Sequence, residues 1–155
     1  MLQELSDGNV DPEKFIFEIT DKSGLYDWDN SRLEDDTITF KPWSITTGEA
    51  DVENQTRANS SIAVALAEHT IGRMKAGNSP ILTVTNKETG DLILRLPIAD
   101  YALLTKGNYN KNMSDQEYLD RQDEYTMTFF LNEGEWLSSV IYINSWRVVI
   151  NEENI

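Results

Sequence analysis

No cysteine occurs among the 155 residues, and histidine occurs once, at His69. The first absence excludes disulfides, thiol catalysis and thiolate metal sites, while leaving the redox compartment open. The second withholds the usual base from a serine nucleophile, and no Gly-x-Ser-x-Gly segment supplies the nucleophile itself. Basic side chains are scarce: 13 Lys and Arg stand against 27 Asp and Glu, a formal net charge of -14. Such a surface repels phosphate backbones and anionic headgroups, so no nucleic-acid partner is expected. No apolar run nears the roughly 18 residues a membrane helix needs, and Met1–Ser6 lacks a basic-then-apolar leader, so no direct membrane insertion by this segment is expected. Gly72, Gly77 and Gly90 are scattered without the lysine and hydroxyl of a phosphate loop, so no cofactor is expected.

What the chain has is β-pattern, most clearly in its last thirty residues. Tyr125, Met127, Phe129 and Leu131 alternate with Thr126, Thr128 and Asn132, the period of two that sends one set of side chains to a buried face. A polar break at Asn132–Glu135, with Gly134 free to take positive φ, leads into a second run from Trp136, which predicts a hairpin. Val140, Ile141, Tyr142 and Ile143 are apolar without alternation, as in a strand covered on both faces, and this arm is placed centrally. Asn144 and Ser145 interrupt the run before Trp146, Val148 and Ile150. A bulge or a tight turn would fit, and one long bent strand is favoured because Asn-Ser is a weaker turn signal than Asn-Gly.

The length suits one domain. Residues 1–11, with Gly8 and Asn9 ahead of Pro12, read as a lead-in or a linker from a preceding domain, and 12–155 as the domain itself. Phe15, Phe17 and Ile19 mark a strand. Asp21–Asp36 is an acidic loop whose Leu25, Tyr26 and Trp28 are expected to pin it to the sheet. Thr37–Phe40 is a strand stopped by Pro42, and Ser44–Ser60 reads as a long surface loop. Within Ser61–Met74, alanine favours helix but Ile62, Val64 and Leu66 keep period two, and strand is chosen. Ile81–Thr85 and Leu92–Leu96 form a hairpin across Asn86–Asp91, with Leu92, Leu94, Leu96 and Ile98 on one face. Ser114 and Glu117 fit a capping box opening a helix to Glu124. The sum is an all-β sandwich of about seven strands with one short helix near 114–124.

The chemical constellations are weak. Asp27, Asp29, Asp35 and Asp36 could gather oxygen ligands, but the spacing from Asp27 puts Arg32 where a helix-loop-helix calcium site needs glycine and Ile38 where it needs glutamate. Glu117, Asp120, Asp123 and Glu124, beside Arg121 and Gln122, read as a wet helix face rather than as paired catalytic carboxylates. His69 reads as structural. Trp136 and Trp146 read as core, whereas Trp28 and Trp43 are possible glycan-stacking platforms. Sequons occur at Asn54, Asn59 and Asn112, and Asp36-Thr37-Ile38 matches a short O-glycosylation signal of periplasmic Bacteroides-type proteins.

Glu117-Tyr-Leu-Asp-Arg-Gln-Asp-Glu-Tyr-Thr-Met-Thr-Phe-Phe-Leu131, Gly134-x-Trp136 and Val140-Ile-Tyr-Ile-Asn-Ser-Trp-Arg-Val148 together carry a resemblance. Tyr26-Asp-Trp-Asp-Asn30, Phe40-Lys-Pro42, Leu82-Thr-Val-Thr-Asn86 and Leu96-Pro-Ile-Ala-Asp-Tyr-Ala-Leu-Leu104 agree with it. The chain resembles the C-terminal domain of the FimB-like and Mfa-like fimbrillin-associated anchor proteins of Bacteroidetes. The resemblance implies a transthyretin-like (Greek-key) sandwich in a non-enzymatic surface protein that attaches a fimbria (pilus) to the outer membrane. Its partner would be a fimbrial stalk subunit (fimbrillin), and its localisation would rest on an N-terminal lipid anchor that no residue here supplies. Such subunits associate by strand addition. The expected edge lies beside the strand bearing Trp136, Val140, Tyr142, Trp146 and Val148, or under residues 1–10. A surface carbohydrate-binding sandwich or tip adhesin, stacking glycan on Trp28 or Trp43, is the alternative.

Overall fold

A computed structural model describes residues 2–4, 11–22, 25–29, 31, 33, 36–51, 61–78, 80–107, 110–132, 135–136, 140–144 and 146–149. Eleven strands and two short helices follow in order: β1 (Leu2–Glu4), β2 (Phe15–Asp21), β3 (Ile38–Phe40), β4 (Ser44–Asp51), β5 (Ser61–Glu68), β6 (Ile81–Asn86), β7 (Leu92–Pro97), α1 (Ile98–Leu103), α2 (Asp115–Leu119), β8 (Met127–Asn132), β9 (Glu135–Trp136), β10 (Val140–Ile143) and β11 (Trp146–Val149). They form two sheets. One runs β11-β10-β8-β1-β5-β4, with β9 also on β8, and the other runs β3-β2-β6-β7. Phe17, Ile19, Val84, Leu94 and Leu96 from the smaller sheet meet Ala65, Phe129, Leu131, Ile141 and Ile143 from the larger in one core, so the all-β sandwich stands.

The alternation in the sequence places most of these side chains. Phe17 and Ile19 of β2 are buried between more exposed neighbours, and in β8 Phe129 and Leu131 are buried to either side of half-buried Phe130, with Thr128 buried as well. In the β6–β7 hairpin, the Asn86 carboxamide accepts from the Glu88 and Thr89 amides at 2.8 and 3.1 Å, and Gly90 takes a φ of 77°. That is the turn its composition predicts. Leu94, Leu96 and Ile98 are buried, but Leu92 is 57% exposed. The register shifts between Val84 and Thr85, which carries Leu92 off the core face.

Several expectations are corrected. Leu2–Glu4, inside the segment read as a lead-in, is a strand paired on both sides, parallel to β8 and antiparallel to β5. Ser44–Asp51, read as loop, is an eight-residue strand paired along its whole length with β5. Thr46 and Thr47 suit such a position, and a polar stretch at the end of a sheet needs no apolar alternation. The predicted helix to Glu124 stops at Leu119; Ser114 caps it as expected, its hydroxyl accepting from the Glu117 amide at 3.1 Å. A second helix, α1, follows Pro97 directly and buries Ile98, Ala99 and Ala102. Residues 133–134 of the first hairpin turn, Asn54, Asn59 and Ile150 lie outside the described residues.

The favoured single bent strand over 136–150 is also corrected: β10 and β11 are antiparallel, Ile143 opposite Trp146, with a turn at Asn144. Asn144 takes a φ of 48°, which asparagine tolerates better than most residues. Its own amide donates to the Thr126 carbonyl at 2.8 Å, its Oδ1 accepts from the Thr126 amide at 2.8 Å, and its Nδ2 donates to Gln122 Oε1 at 2.9 Å. The turn is therefore specified by tertiary hydrogen bonds as much as by local propensity. Asn144→Ala, which strains the backbone and frees the Thr126 amide, is expected to cost about 2 kcal/mol in urea unfolding.

Candidate functional site

The surface features that could engage a partner are the sheet edges, the exposed tryptophans and a cavity between the sheets. Among the described elements, β4 and β11 end the larger sheet and β3 and β7 end the smaller. Of the proposed edge residues, Tyr142 lies in β10 paired with both β11 and β8 and so forms no edge, while Val140 of the same strand pairs with Val149 of β11. Trp136 sits in β9 against β8, with its ring edge-on to Phe129 at 6.3 Å. Trp146 and Val148 lie in β11, the terminal strand. The core placement of Trp146 is overturned, since it is 71% exposed; Trp136 packs half-buried against the core. A β11 side chain has a neighbouring strand on one side only, which strand alternation in the sequence does not reveal.

Trp28 is 91% exposed and does not pin the acidic loop. Tyr26 does: it packs over Gly72, where a Cβ would collide with its hydroxyl, and that hydroxyl donates to the Arg73 carbonyl at 3.5 Å. Trp43 is 68% exposed at the corner between β3 and β4, its amide bonded to the Glu68 carbonyl at 2.9 Å. Trp28 and Trp43 are therefore both accessible for stacking.

Trp43 also stands at the rim of a cavity of about 830 Å³ between the two sheets. Phe17, Ile19 and Val84 wall it from one sheet, Phe129 from the other, and Ile98 and Leu119 close it, all six being buried. The cavity follows from the orientation of β5. The period-two set identified in the sequence, Val64 and Leu66, belongs to the face opposite Ala65, which packs in the core, and Ala67, which packs against it. Methyl groups stand there where larger aliphatic side chains would fill the interior. His69 follows β5 at the opening, half-buried, and both ring nitrogens are shielded from water without a hydrogen-bond partner.

Burial pushes the His69 pKa below its usual 6.5, opposed by the nearby Phe40 backbone. The folded chain thus takes up this proton less readily than the unfolded chain. The associated stability is present in full above about pH 6.5 and is lost as pH falls through the depressed folded value. In thermal unfolding across pH 5 to 7.5, His69→Asn is expected to flatten this part of the wild-type profile. An unchanged slope would assign that pH dependence to other groups.

The remaining rim is acidic and wet. Asp123 and Glu124 are exposed, Glu68 is half-buried, and Arg73 pairs with Asp120 at 3.2 Å. Gln116 ties the segment after His69 to α2, accepting from the Ala76 amide at 2.9 Å and donating to the Met74 carbonyl at 3.1 Å and to Asp120 at 2.9 Å. Glu117 and Arg121 are 3.6 Å apart and exposed. These contacts hold a loop and bring no pair of carboxylates together over a cleft. Among the described residues, no three acidic or histidine side chains cluster as metal ligands. No described helix is long and apolar enough to cross a membrane.

No curated protein matches the chain. Solved structures do. A candidate adhesin of Bacteroides thetaiotaomicron shares 35% identity over 97% of this chain and 50% of its own, with a TM-score of 0.77. A candidate polysaccharide-binding protein of the same organism shares 28% identity over 99% of this chain and 51% of its own, with a TM-score of 0.68. The fimbrial anchor protein Mfa2 of Porphyromonas gingivalis shares the fold at 15% identity, with a TM-score of 0.53 over 97% of this chain and 47% of its own. The chain thus spans about half the length of these proteins. The family model of the fimbrillin-A associated anchor proteins Mfa1 and Mfa2 matches residues 1–152, and the chain belongs to that family.

Proposed function

We propose that this chain is a non-enzymatic domain of a fimbrial anchor or accessory protein, which attaches a pilus to the outer membrane and joins a fimbrial stalk subunit by β-strand addition. Family membership supports the fimbrial role. Attachment to the outer membrane through a lipid is the part of this reading that rests on the resemblance alone. The observation that carries the assembly mode is β1, three residues long yet interior to the larger sheet. A short strand paired on both sides is one that an extended segment of a partner can replace or extend. The strands that end the sheets among the described residues add a second opportunity: β4 offers eight residues without lysine or proline, two of the usual protections of an edge. β11 offers four, including Trp146 and Val148.

The test is co-purification of the chain with the stalk subunit from the same fimbrial system, alongside a variant with Thr47→Pro in β4. Retention by the wild type and loss in the variant supports addition at β4. Retention by both moves the contact elsewhere, and retention by neither removes the stalk subunit as partner of this domain.

The exposure of Trp28 and Trp43 favours one second reading, that of a carbohydrate-binding sandwich or adhesin, in keeping with the descriptions of the two Bacteroides thetaiotaomicron proteins. A glycan array on the chain and on Trp43→Ala and Trp28→Ala variants decides it. Wild-type signals lost on either substitution support glycan stacking, and a silent array at high protein concentration sinks it.

A further inference from the structure

We propose that the cavity between the sheets is a binding site for a single-chain lipid, which inserts its alkyl chain among Phe17, Ile19, Ala67 and Met127 and leaves an uncharged head at the acidic opening. This inference is independent of the fimbrial role. Protein interiors are packed to crystal density, and apolar space of this size is uncommon in a folded domain without an occupant. Its volume of about 830 Å³ lies in the range of sites that take small organic molecules. Around the opening, Ala67, His69, Ile71, Leu82, Tyr125 and Met127 are each only half-buried, so a hydrophobic rim is left partly wetted.

The nature of the occupant follows from what the walls lack. The strands that face the space are β2, β5, β6 and β8, and each has a neighbour on both sides. An inserted polypeptide would find side chains there and no strand edge, leaving its own amides and carbonyls short of partners in an apolar setting. An alkyl chain carries no such groups. The head is constrained by charge. Glu68, Asp123 and Glu124 stand at the rim, and Arg73, the one lysine or arginine among the described residues lining the cavity, is engaged by Asp120, so a carboxylate or phosphate head is opposed. His69 adds no compensating positive charge at the opening, because its ring nitrogens are turned away from water and burial holds its pKa below the usual value.

The test uses the whole chain and the neutral fluorophore N-phenyl-1-naphthylamine, whose emission rises in apolar surroundings. Expected are saturable binding at one site and displacement by a monoacylglycerol at least tenfold more effective than by the fatty acid of equal chain length at pH 8. Ala67→Phe, which fills the space, is expected to weaken probe binding at least tenfold while thermal stability holds or rises. Met127→Trp serves the same purpose if the first variant does not fold. Absence of saturable probe binding overturns the proposal, as does binding that survives both filling variants. Displacement by an apolar peptide in preference to the monoacylglycerol would assign the cavity to a protein partner and equally overturn it.

Discussion

Deleting residues 1–10 is expected to lower the unfolding free energy by about 3–5 kcal/mol, a large part of the stability of an ordinary domain. Leu2 and Gln3 oppose Ala65 and Val64 on β5, and Leu2, Gln3 and Glu4 run beside Phe129, Phe130 and Leu131 on β8. Removing them opens two ladders at once in the middle of the larger sheet and leaves backbone donors and acceptors without partners. In thermal unfolding this corresponds to a drop in Tm of roughly 10–15 °C for a chain of this size. The same experiment bears on function. If strand addition is the mode of assembly, a synthetic peptide of residues 1–10 should restore much of the lost stability in trans. An unchanged Tm together with unchanged stalk-subunit binding would strip this segment of both roles.

The second large effect is expected at Ile141. Its side chain is fully buried in β10, between β11 and β8. Ile141→Ala is expected to cost about 2–5 kcal/mol, the transfer free energy of the deleted carbons plus the cavity they leave. Trp146→Ala, five residues on and far larger in the atoms it removes, is expected to cost less than about 1 kcal/mol, because its ring is mostly in water. Parallel urea titrations of the two variants give the comparison. Equal losses would mean that Trp146 is covered in solution, as a strand from another molecule on β11 would cover it.

This inversion, with the isoleucine structural and the tryptophan wet, shows where the sequence is informative. The period-two runs at Phe15–Ile19 and Met127–Leu131 mark buried faces because each strand lies between two layers of contrasting polarity. The Asn86–Asp91 turn and the Ser114 cap are legible because side chains a few residues apart satisfy local backbone groups. β1 and β4 are not legible in this way. Leu2–Glu4 becomes a strand only through partners more than sixty residues away, and Ser44–Asp51 becomes one only because β5 supplies a ladder. The Asn144 turn depends on Thr126 and Gln122, which no local reading could attach to it.

The candidate sites divide along the same line. Exposure of Trp28 agrees with the acidic loop around it, whereas around Trp43 only Lys41 and the hydroxyls of Ser44, Thr46 and Thr47 hint at it. The cavity was hidden because an Ala-rich strand is ambiguous in one dimension: the same alternation permits Ile62, Val64 and Leu66 or the alanines to face inward. Only the pairing of β5 with β1 and β4, and the place of Ala65 in the shared core, decides which set does.

The direction of β1 has a mechanical consequence. It runs parallel to β8 and antiparallel to β5, so tension applied along its axis strains the hydrogen bonds of both neighbours in shear. They must then fail together, whereas a strand peeled sideways releases its bonds one at a time. A load transmitted through that strand would meet the sheet in its stiff direction.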